Sequence, residues 1–151
     1  GSTLAIHPQM KKQEEEIIME NQHLKNHVKS IADDMHNGIE VQVCEHCSTH
    51  EEPNPEDTSC PCCGEEMVIE MMDGWQYLQD ALDINYLVSS DLKVMQGARI
   101  LVAFGGPNIW IDTAKGLVEG YWGGDSATAS FHEDPMGVEM AASDLYWAAR
   151  S

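Results

Sequence analysis

The chain has 151 residues, 42% of them hydrophobic, with 26 Asp and Glu against 8 Lys and Arg, for a formal net charge of -18 at pH 7. That length holds one ordinary domain, or two small modules and a helix. No run of 18 apolar residues occurs, which excludes a transmembrane helix, and the start lacks the basic-then-apolar layout of a signal peptide, which predicts a cytoplasmic protein. Residues 1–9, ahead of Met10, read as an expression remnant outside the fold.

Charge is distributed unevenly. From Ser30 to Leu92 there is no Lys or Arg, yet the stretch holds 15 carboxylates. Sequence-independent binding to nucleic acid needs cations that neutralise phosphates. This section has none, so direct nucleic-acid binding is not expected. An acidic surface instead favours solubility or a basic protein partner.

Residues 10–38 predict a helix without Gly or Pro before Asn37-Gly38, a C-terminal stop. Glu14, Ile17, Asn21, Leu24, Val28, Ile31 and Met35 alternate by three and four, the heptad seam of a coiled coil. Asn21 at an a position fixes register and favours two strands, and Glu20 would face Lys25 of a second chain. The expectation is a homodimer whose seam holds Ile17, Asn21, Leu24, Val28 and Ile31. The competing arrangement is a helix packed on its own domain. His23 and His27, four apart, share one helical face and read as solvated.

The next segment, 39–71, reads Val43-Cys44-Glu45-His46-Cys47, twelve residues, then Cys60-Pro61-Cys62-Cys63-Gly64. Two C-x-x-C turns bring four thiolates to one tetrahedral ion, so Cys44, Cys47, Cys60 and Cys63 are the expected ligands of one structural Zn2+. The loop between the pairs, Ser48–Ser59, has no large apolar residue, so a metal must organise it. Disulfides are not expected in a reduced compartment, and no thioredoxin-like unit accompanies the pairs. The pattern resembles the zinc-ribbon family, whose knuckles carry C-x-x-C and C-P-x-C-G. The likeness covers only residues 40–71, and it departs at the missing Gly after Cys47 and at the extra Cys62. His46, His50 or Cys62 could substitute for one ligand, though each fits the paired spacing less well. The resemblance implies contacts with nucleic acid or with protein, and the acidic loop tilts the choice toward protein contact or plain structural support.

Residues 72–151 predict an α+β domain: an antiparallel meander with helices on one face. Met67–Ile69 closes the ribbon, Trp75–Leu82 is a short helix, and Tyr86–Val88 is a strand. Ala98–Phe104 forms a buried central strand, followed by Asn108–Asp112 and Leu117–Trp122. Ala127–Phe131 forms an edge strand, and a final helix runs from Pro135 to Arg150, with Met140, Leu145 and Trp147 on the sheet. The Gly105-Gly106-Pro107-Asn108 corner lacks the spacing and cation of a phosphate loop and reads as a bend. Trp110, Tyr121 and Trp122 beside it are candidate partner-binding aromatics. His132, Glu133 and Asp134 include an acid-base set without a partner at catalytic spacing.

The sequence thus predicts a non-enzymatic, dimeric, acidic interaction or regulatory protein, of the kind a small bacterial or phage inhibitor of a basic surface would be. Two alternatives stand beside it. One is a nucleic-acid-associated zinc-ribbon factor of transcription or repair. The other is an enzyme with its site near the Gly105–Asn108 bend.

Overall fold

The computed structural model describes residues 8–150. Helix α1 (Pro8–Asn37) leads into a small sheet of β1 (Glu40–Val43), β2 (His50–Glu51) and β3 (Val68–Met71), in the order β2-β1-β3. Helix α2 (Gly74–Leu78) precedes a five-stranded antiparallel meander. Its strands β4 (Asp83–Val88), β5 (Met95–Ala103), β6 (Asn108–Asp112), β7 (Leu117–Trp122) and β8 (Asp125–Ser130) lie side by side in chain order. Helix α3 (Val138–Arg150) closes the chain. The result is a mixed helical and antiparallel α+β fold.

Alternation decides which face of the meander is covered. Ile100, Ile109, Ile111 and Val118 are fully buried on one face, and β6 reads half-buried, buried, half-buried, buried, half-buried along Asn108–Asp112. Side chains of period two on a pleated strand leave one face apolar, and that face needs a second layer. Helices α1 and α3 supply it: Leu24, Val28, Ala32 and Met35 from the first, and Val138, Ala141 and Ala142 from the second, join one core with those isoleucines. Each large apolar side chain so buried is worth roughly 1.5–3 kcal/mol.

The long helix therefore differs from the expected seam. Leu24 and Val28 are buried within this chain's own core, Ile31 is half-buried against it, and Asn21 is half-buried. The side chain of Ile17 lies outside the described residues, and Lys11–Glu16 are exposed. The residues facing inward are 24, 28, 32 and 35, a stripe of period 3.6, in which Ala32 and not Ile31 is the innermost of its turn. Gly120 of β7 lets the helix approach closely, since a Cβ there would stand 2.5 Å from Val28 Cγ2 and 2.9 Å from Leu24 Cδ1. The expected remnant, residues 1–9, falls outside the described residues as far as 7, and α1 begins at Pro8.

The C-terminal helix also presents a different face from the one expected. Met140 is 72% exposed and Trp147 43%, while Leu145 does pack on the core and Tyr146 is buried against Tyr86, with ring centroids 5.2 Å apart. The helix starts at Val138, three residues after Pro135, because Asp134 accepts from the first two N–H groups, Oδ1 from Val138 (2.9 Å) and Oδ2 from Glu139 (3.0 Å). Replacing such a cap with alanine costs about 1 kcal/mol. Thermal unfolding of an Asp134→Ala chain is expected to show a loss of that size, with the metal content unchanged.

Two shorter elements also moved. Helix α2 ends at Leu78, with Leu82 exposed, and Phe104 sits past the end of β5 at 72% exposure instead of finishing a buried strand. Beside the four cysteines, Met67 is buried and the strand runs Val68–Met71.

Candidate metal centre

The sulfur atoms of Cys44, Cys47, Cys60 and Cys63 all lie within 4.8 Å of one another. Four thiolates on a tetrahedral zinc at about 2.3 Å are separated by about 3.8 Å. The Cys44 and Cys63 sulfurs stand 3.6 Å apart, so the donor set and its spacing fit a four-coordinate soft metal ion. Cys44 and Cys60 are buried, Cys47 is half-buried and Cys63 is exposed.

Two equivalent knuckles produce this arrangement. In the first, the Ser48 N–H donates to the Cys44 carbonyl (2.8 Å) and the Cys44 N–H to the Thr49 carbonyl (3.0 Å). In the second, the Gly64 N–H donates to the Cys60 carbonyl (2.8 Å) and the Cys60 N–H to the Glu65 carbonyl (2.8 Å). Backbone donors also reach sulfur, Cys47 N–H to Cys44 Sγ and Cys62 N–H to Cys60 Sγ, both at 3.4 Å. Such donors stabilise thiolates. Cys62, His46 and His50 are all exposed, and the cluster contains none of them.

The departure from the ribbon pattern has a structural answer. Gly64 has φ +75°, the left-handed region that suits glycine, and Ser48, at the matching place in the first knuckle, has φ +58°. An L side chain there costs roughly 1–2 kcal/mol. A Ser48→Gly chain is expected to gain about 1 kcal/mol in the stability of this module, read as slower metal loss to a chelator competing at fixed pH.

The electrostatics are compatible with a bound cation. Without one, the Cys60 thiol is drawn down to about 6, chiefly by the Thr49 hydroxyl at 3.6 Å, while Cys47 is pushed up to about 12, chiefly by its hydrogen bond with Cys63. One sulfur gives up its proton easily and its neighbour holds on, as expected of four thiols that cannot all be anions side by side. A divalent ion held by these sulfurs would replace the shared protons, so loading would release protons and affinity would fall as the pH is lowered.

Two residues that the spacing argument passed over hold the module. One is Thr49. The other is Gln42 of β1, a buried polar side chain at 1% exposure. Its Nε2 donates to the Asp57 carbonyl (3.0 Å), and its Oε1 accepts from the Asn54 N–H (3.1 Å), so one amide fixes the inter-knuckle loop at two points. The module's own apolar cluster is only Cys44, Cys60 and Met67, with Cys47 against it.

The other candidate residues are dispersed. Trp110 and Tyr121 share the open face of the meander, where the Arg99 guanidinium lies 4.6 Å from the Trp110 ring centre and 3.7 Å from Glu119, which accepts from the Tyr121 hydroxyl at 2.9 Å. Trp122 turns to the other face and, with His23, His27 and Pro107, lines a cleft of about 570 Å³ beside α1. Asn108 Oδ1 accepts from the Gly105 N–H (3.4 Å) and closes the bend. His132 donates its backbone N–H to His36 Nδ1 (3.1 Å). No protein-family model, no curated protein and no solved structure matches the chain.

Proposed function

We propose that this chain is a non-catalytic, acidic interaction protein in which one structural zinc ion closes the four-cysteine module and the target is a basic protein surface. The observation that carries the reading is the pairing of two facts in one segment. All four sulfurs converge, which leaves a metal no open position for substrate or water. Around them, Ser30–Leu92 offers 15 carboxylates and no Lys or Arg. Such a surface repels phosphates and steers cationic partners.

Residues proposed for chemistry have other tasks, which supports a binding role. Asp134 caps α3, and Asn108 closes a bend. A pair of chains in this reading cannot use Leu24 and Val28 without stripping α1 from its own sheet. An inhibitor that occludes a basic face of its target would act through the same surface.

The test is reconstitution. The partner recovered with the intact protein from its native cells, once purified, is expected to be basic and to rebind at physiological salt after nuclease treatment. Binding that disappears with the nuclease, or tight binding of the purified chain to duplex DNA at that salt, removes the reading.

A further inference from the structure

Strand β3 forms one edge of the small sheet, and its outer side is bare. The Met72 N–H donates to the Ile39 carbonyl at 2.7 Å, which sets the phase of the ladder with β1. Backbone groups alternate along an antiparallel pair. Val68 and Glu70 therefore turn theirs toward β1, and Ile69 and Met71 turn theirs to solvent. All four residues are exposed, Ile69 at 52% and Met71 at 49%.

Proteins guard such edges with lysine, proline, a bulge or a covering element, because an open edge recruits another strand. The other edges here are guarded. Strand β2 has only two residues, β8 lies against α1, and β4 carries a register break at Leu87/Val88. Strand β3 has none of these devices and shows Val68, Ile69 and Met71 instead.

The charge around it selects the occupant. Ile69 and Met71 share a face with Glu40, which lies across from Met71, while Val68 shares the other with Glu70. Glu65, Glu66 and Asp73 flank the strand, and the nearest cations in the chain are Lys29 and Lys93. A second copy pairing here would set carboxylates against carboxylates. We propose that β3 is a strand-addition site for an extended, basic segment of a partner protein, with apolar and cationic side chains on both of its faces. The Ile69 and Met71 backbone groups bond the added strand, and Glu40 and Glu70 meet its cations. This inference rests on the reading that a basic partner is the target.

The probe is a labelled peptide, acetyl-Lys-Ile-Val-Lys-Ile-Val-Lys, titrated into the full metal-loaded chain and followed by fluorescence anisotropy. Two control peptides accompany it, one with Glu in place of Lys and one methylated on its backbone nitrogens. Binding by the basic peptide alone is expected, weakening as salt rises from about 50 to about 300 mM. Ile69→Pro removes an outward N–H that β1 does not use, a place where an edge strand tolerates proline. It is expected to weaken binding roughly tenfold or more, with metal content and melting temperature kept. Should that chain fold poorly, a chain with both Ile69→Lys and Glu70→Lys keeps the strand, charges the edge and is expected to lose the peptide.

Equal binding of the methylated peptide, or undiminished binding by a folded variant, overturns strand addition while leaving the basic-partner reading in place. No binding of the basic peptide overturns the site as well. Self-association of the unliganded chain that Ile69→Pro abolishes makes a second copy the occupant, against the proposal.

Discussion

A Cys60→Ser chain is expected to lose its metal, and with it the folded state of residues 44–67, while the five-stranded sheet and its helices persist. The reason is the poverty of the module without the ion. Its apolar cluster amounts to three cysteine side chains and Met67, and the twelve residues between the knuckles bury almost nothing. Structural zinc in modules of this size contributes on the order of 10–16 kcal/mol at pH 7. Hydrogen bonds worth about 1 kcal/mol each, such as the two that Gln42 makes to the loop, cannot replace it. Backbone amide NMR is the measurement. Signals from 44–67 are expected to collapse to random-coil positions in Cys60→Ser and in wild type treated with a strong chelator, with signals of β5, β6 and β7 retained. A module that keeps its dispersed signals without metal contradicts this.

Leu24→Ala is expected to destabilise the chain by about 2–5 kcal/mol without changing the number of chains per particle. Leu24 is 1% exposed and touches the place where Gly120 admits the helix to the sheet. Truncation leaves a cavity between α1 and β7 that neither element can close. Gly120→Val attacks the same contact from the other side and is expected to lower stability by a further few kcal/mol, since the added side chain meets Val28 and Leu24 within 3 Å. Denaturant unfolding at two protein concentrations, with light scattering on both variants, is the check. A variant that turns from dimer to monomer would return Leu24 and Val28 to a seam between chains.

How far these features could be read in advance depends on the range of the interaction. Asn108–Asp112 and Leu117–Trp122 were legible to the residue because alternation is a local signal. The cysteine spacing was legible for the same reason, since each knuckle is built from four consecutive residues. Over three turns, however, periods of 3.5 and 3.6 separate by too little to tell a seam from a docked stripe, and only Ala32 at 2% exposure reveals the second. Met140 and Trp147 misled because position on a short helix, and not hydrophobicity, decides which side chains pack. The face that packs carries Ala141 and Ala142, small residues that allow close approach. Gln42 was invisible, since its partners lie 12 and 15 residues on, and a polar side chain in a short strand ordinarily faces water. Ser48 hid a left-handed residue in a place where glycine is the usual sign.

The open edge of β3 and the empty cation count around it concern partners. The four sulfurs concern whether the segment beside that edge, residues 44–67, exists as a folded unit at all. Native mass spectrometry of the chain purified without added reductant therefore tests the account most directly. One zinc ion bound per chain, lost together in Cys44→Ser, Cys47→Ser, Cys60→Ser and Cys63→Ser but kept in Cys62→Ser, is the result predicted. A metal-free chain lighter by the four hydrogens of two disulfides, or a zinc that survives loss of Cys60 and leaves with Cys62, would contradict it.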